Sequence, residues 1–76
     1  MEIPPAILDK AKDLIATYGV HFERLGLYNG CLVFKYVFPK GLRTGFPYVF
    51  LYDEKTKKVE EITGIEALEI IISMKQ

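Results

Sequence analysis

Apolar positions in the first quarter of the chain recur at steps of one, three and four residues: Ile7, Leu8, Ala11, Leu14, Ile15 and Tyr18. That spacing builds one face of a helix, and Asp9, Lys10, Lys12, Asp13 and Thr17 occupy the other. Pro4 and Pro5 suit a first turn, where a missing N–H costs nothing, and Gly19 suits the left-handed position just past the end. A helix is predicted from about Pro5 to Tyr18.

Beyond Gly19 the period changes to two, centred on Asn29-Gly30, the dipeptide most favoured in a two-residue hairpin turn because both positions need positive φ. A loop at those two residues pairs Tyr28 with Cys31, Leu27 with Leu32, Leu25 with Phe34, Glu23 with Tyr36 and His21 with Phe38. Leu25, Leu27, Leu32, Phe34, Tyr36 and Phe38 then form a core face. The other face carries Phe22, Arg24, Gly26, Tyr28, Cys31, Val33, Lys35 and Val37. It sets Arg24 opposite Lys35, a like-charge pair that requires water. A loop over 39–45 leads into a third strand of alternating aromatics, Phe46, Tyr48, Phe50 and Tyr52, with Pro47 expected at its start or at a bulge. A charged turn over 53–57 precedes a fourth strand from Lys58 to Ile62. Thr63 and Glu66 have the spacing of a capping box opening a second helix, whose buried stripe is expected to be Ile65, Leu68, Ile71 and Ile72, widened by Ala67, Ile70 and Met74.

The order α-β-β-β-β-α with short connections favours a single α+β domain over 1–76, a two-layer sandwich in which a four-stranded antiparallel meander carries both helices on one face. The opposite sheet face, with Phe22, Arg24, Tyr28, Val33, Lys35 and Val37, is then left open as an apolar patch of the kind that marks an interaction surface. The layout from Ala11 to Gly64, with Tyr52-Asp53-Glu54-Lys55-Thr56-Lys57-Lys58-Val59 closing it, resembles PepSY-type modules in pattern. Those modules are typically extracytoplasmic and attached to other domains, whereas this chain shows no export signal and adds a C-terminal helix. The resemblance therefore transfers no functional residue.

Composition narrows the function classes. Lys plus Arg and Asp plus Glu number 10 each, so the net field does not draw polyanions, and nucleic acid is not an expected partner despite aromatics near Arg24, Lys35 and Lys40. One cysteine forms no internal disulfide, and no apolar run approaches the roughly 20 residues needed to cross a bilayer, so a cytoplasmic protein without membrane contact is expected. Cys31 and His21 fall on opposite hairpin faces and, at about 3.3 Å per residue, some 20 Å apart, too far for a nucleophilic pair. One His and one Cys are too few for a zinc site. His21, Glu23 and Tyr36 form a weak acid–base grouping at the open end of the hairpin. No catalytic residue, metal ligand or cofactor is assigned. The expected function is a non-enzymatic interaction module that forms a homodimer, or binds another protein, through the open sheet face. The alternative is an anion or small-ligand site in the 39–47 loop, with Lys40, Arg43 and Thr44 around two glycines.

Overall fold

A computed structural model describes residues 3–39 and 47–74. The elements are α1 (Pro5–Lys10), α2 (Lys12–Tyr18), β1 (Phe22–Tyr28), β2 (Cys31–Tyr36), β3 (Tyr48–Asp53), β4 (Lys58–Thr63) and α3 (Ile65–Met74). The strands form one antiparallel sheet in sequential order, β1-β2-β3-β4, with helices before and after it, so the fold is α+β as its pattern predicts. Asn29 and Gly30 make the β1–β2 turn with φ of 51° and 81°, the two positive values that the dipeptide was chosen for. Pro47 stands immediately before β3, where it withholds no ladder hydrogen bond.

The first helix is two. Ala11, with φ −97° and ψ 14°, interrupts the ladder between α1 and α2, although its N–H still reaches the Ile7 carbonyl and its own carbonyl accepts from Ile15. The bend keeps both pieces against one sheet face. Ile7 and Ala11 are fully buried with Phe34, Tyr36 and Phe50, while Leu14, Ile15 and Tyr18 pack around them with Phe22 and Phe38.

Placement of the second helix departs from the expected two layers. Ala67, Ile70 and Ile71 of α3 bury Val33 and Val49, which alternate in sequence with Phe34 and Phe50 and so point to the opposite side of the sheet. The helices therefore cover opposite faces, giving three layers, helix, sheet and helix. The cause lies in β2 and β3: Val33 and Phe34, like Val49 and Phe50, are consecutive and all at most 1% exposed. Two helices on one side would leave both valines in water, at roughly 1.5–3 kcal/mol each. Gly64, the single residue between β4 and α3, takes φ 77° and carries the chain across, and its carbonyl accepts the Leu68 N–H. Thr63 remains in β4 opposite Tyr48, so the expected capping box gives way to a glycine at the helix start.

Hairpin register also differs from the uninterrupted ladder. Tyr28↔Cys31, Leu27↔Leu32 and Gly26↔Val33 pair as expected, but a bulge between Arg24 and Gly26 then shifts the strand to Arg24↔Phe34, Glu23↔Lys35 and Phe22↔Tyr36. One additional residue turns the side chains of β1 that precede the bulge to the other face. Phe22 joins the aromatic cluster under α2, and Leu25 joins the α3 side. Lys35 now faces Glu23 rather than Arg24, replacing a repulsive cross-strand pair with an attractive one. Gly26 enables the bulge. Its φ is 124°, and a Cβ there would sit 3.6 Å from the Met74 methyl carbon of α3. Gly26→Ala should accordingly lower the unfolding free energy by about 1–3 kcal/mol through backbone strain, measured by urea denaturation. A loss below about 0.3 kcal/mol would show that the bulge does not depend on glycine.

Candidate functional site

The residues expected to share an open face do not share one. Val33 is wholly buried beneath α3, and Tyr28 and Lys35 lie half-buried on that same side. Phe22 and Arg24 are on the other side, opposite Tyr36 and Phe34. Val37 is exposed beyond the end of β2, where its N–H donates to the His21 carbonyl at 2.7 Å. Two physical causes divide the set: the bulge moves Phe22 and Arg24, and α3 covers the face that was to be open. Lys40, Arg43 and Thr44 lie outside the described residues.

The aromatic rings serve packing. Phe22 meets Tyr36 edge to face at 5.2 Å and Phe50 at 5.9 Å, Tyr36 meets Phe38 at 5.0 Å, and Tyr18 meets Phe38 at 5.5 Å. Rings engaged this way beneath α2 do not present flat faces for stacking. The expected grouping of His21, Glu23 and Tyr36 is also dispersed. Glu23 is exposed opposite Lys35, whereas Tyr36 is 1% exposed and its hydroxyl lies 2.6 Å from the Gly19 carbonyl and 3.2 Å from that of Leu14. The single phenolic proton thus ties β2 to the end of α2, satisfying a carbonyl that the helix terminus leaves free. His21 precedes β1 and Cys31 opens β2, at opposite ends of the hairpin. Among the described residues, no group of three or more His, Cys, Asp or Glu is placed to hold a metal ion, and no helix is long and apolar enough to cross a membrane.

Two surface features remain that sequence reasoning missed. The first is on α3. Its sheet-facing side is Ala67, Ile70 and Ile71 with Met74 half-buried, yet Ile65, Leu68 and Ile72 are 64%, 40% and 60% exposed. At 100° per residue these three form a second apolar stripe, turned well away from the first. The sequence merged both stripes into one, since seven apolar residues in ten leave no polar gap to separate them.

The second feature is a groove of about 730 Å³ on the α1 side of the sheet. Ile3, Pro4, Pro5, Leu32 and Phe34 supply its apolar wall and floor, and Arg24, Tyr52, Glu54 and Lys57 border it. Lys57 is held by the β3–β4 turn, in which the Asp53 side chain accepts the Lys55 N–H at 2.9 Å and the Asp53 carbonyl accepts the Lys57 N–H at 2.6 Å. Its φ of 60° places a lysine in the left-handed region, at a cost of roughly 1–2 kcal/mol. Leu27, expected in the core, is 67% exposed on this same side, because α1 lies over β3 and β4 and leaves the β1–β2 tip uncovered. Comparison with protein families, with curated proteins and with solved structures finds no match to this chain.

Burial is the first cause of a raised Tyr36 pKa, and the neighbouring Tyr18 adds to it. The fold favours the neutral phenol. Its stabilising contribution is therefore complete below the unfolded value of 10.0 and is lost as pH rises through the higher native value. Tyr36→Phe should cost about 1 kcal/mol at neutral pH by removing the bond to Gly19. The variant should also lose stability less steeply than the parent above about pH 10, read from melting temperature against pH. Parallel alkaline limbs would show that Tyr36 contributes nothing to that loss.

Proposed function

We propose that the protein is a non-enzymatic interaction module that pairs with a second copy of itself through the outward stripe of α3. The observation that supports this reading is the double-sided apolar character of that helix: Ile65, Leu68 and Ile72 stand in water while Ala67, Ile70 and Ile71 fill the core. Apolar residues that extend this far around a helix are normally covered by a second surface, and here only Glu66, Glu69 and Ser73 among the described residues of α3 are polar. The self-association first assigned to the open sheet face thus moves to the helix that covers it.

Three features favour a second copy as the occupant. A two-fold axis near Leu68 would set Ile65 of one protomer beside Ile72 of the other, since the two residues flank it at nearly equal spacing, making the stripe self-complementary. With ten positive and ten negative residues, two copies meet without net repulsion. The sheet edges are poor alternatives: β4 carries exposed Lys58, Glu60 and Glu61, and β1 is bent by its bulge. A single cysteine in a small chain suits the reducing interior of a cell, and we place the protein there.

The association should be weak. Only three partly exposed side chains on each protomer leave water, and that gain is set against the freedom lost on association. Sedimentation velocity between about 10 μM and about 1 mM should show the mean mass rising toward that of a dimer, with the midpoint in the upper part of the range. Leu68→Glu should abolish the rise while leaving the melting temperature within about 3 °C, because the residue is on the outer side of α3. A parent chain that stays monomeric throughout would end this reading, and so would a Leu68→Glu variant that still dimerises.

A further inference from the structure

We propose that the groove between the start of α1 and the β1–β2 half of the sheet is a binding site for an organic anion: an apolar body lying along Ile3, Pro4, Leu32 and Phe34, and a carboxylate met by Arg24 and Lys57. This is separate from self-association, since α3 lies on the opposite side of the sheet.

Three independent features converge on it. The groove has the volume of a small-ligand site, about 730 Å³, within the roughly 300–1,000 Å³ range of such clefts, and its lining is mixed, with Ile3, Pro4, Pro5, Leu32 and Phe34 set against Arg24, Tyr52, Glu54 and Lys57. Arg24 reaches it only because of the β1 bulge; in an uninterrupted ladder its side chain would point to the α3 side, as that of Lys35 does. Lys57 reaches it from a left-handed backbone position that glycine or asparagine would occupy with less strain. Two local departures from the least strained backbone thus bring cations to the same groove. Departures of that kind cluster at functional sites.

Charge selects the ligand. Among the described lining residues, Arg24 and Lys57 stand against one carboxylate, Glu54, an excess of one positive charge. Arginine offers a planar fork that matches a carboxylate, and the partly exposed Ile3, Pro4 and Leu32 offer the apolar wall. A neutral ligand would leave both cations without a partner, and a cationic one would meet them in repulsion.

The test is an amide NMR titration of the full chain with decanoate, using decanol and decylammonium as neutral and cationic partners of equal chain length, all below micelle-forming concentrations. Decanoate should shift the amides of Arg24, Leu32, Phe34, Tyr52 and Lys57 to saturation, with decanol roughly tenfold weaker and decylammonium weaker again. Combining Arg24→Gln with Lys57→Gln should bring decanoate down to the affinity of decanol while decanol binding stays unchanged, which also reports that the groove remains folded. Should Arg24→Gln disturb the bulge, Lys57→Gly alone removes one charge and relaxes its backbone; decanoate should then weaken by about threefold or more with decanol unaffected. The proposal is overturned if decanoate gives no saturable shift at millimolar concentration, or if decanol or decylammonium binds as tightly as decanoate. Undiminished decanoate affinity in the charge-removed variants, or shifts confined to the α3 side, would overturn it equally.

Discussion

Adjacent residues on the two central strands are buried on both sides of the sheet, and this constraint organises the remainder of the molecule. Val33 beside Phe34 and Val49 beside Phe50 require cover on both sides of the middle of β2 and β3. The described residues hold two short helical regions with which to cover them, α1–α2 and α3, so one goes to each side. The aromatic side takes α1 and α2, and the aliphatic side takes α3. Each covering is thin. A helix laid across four strands leaves uncovered ground beside it, and that is where the groove near Arg24 and the exposed Leu27 are found.

Much of this was legible in the residues. The Asn29-Gly30 turn, the strand order and the helices at either end follow from local chemistry, because turn residues and hydrophobic period act over a few positions. Both strand faces were also legibly apolar, but assigning both helices to one side conflicted with that pattern. The conflict itself pointed to three layers. Less accessible was the bulge at Leu25 and Gly26. A glycine inside an apolar strand signals either a weak spot or an added residue, and nothing in the neighbouring sequence separates the two. The like-charge pairing of Arg24 with Lys35 was the better signal, since a register that places repelling groups face to face invites a shift by one.

The candidate surfaces were the least legible part. Period identifies a helix face when polar residues bound it, and α3 has too few to do so. Which of its stripes meets the sheet is decided by the path through Gly64, a tertiary matter. The groove is more distant still from the sequence, because Arg24 and Lys57 are separated by more than thirty positions and are brought together by a strand irregularity and a turn conformation.

Tyr36 joins the sheet to α2 through its hydroxyl, yet among the described residues no comparable side-chain hydrogen bond links the α3 side, where Val33, Val49, Ala67, Ile70 and Ile71 pack by shape. The two hydrophobic clusters meet only across the strand backbones. The described members of the two clusters do not overlap, so the free-energy effects of well-separated substitutions on opposite sides should sum, while neighbours such as Val33 and Phe34 stay coupled through the strand backbone. Slow amide exchange would accordingly resolve two opening events, with α3 free to lift away while the aromatic side stays closed.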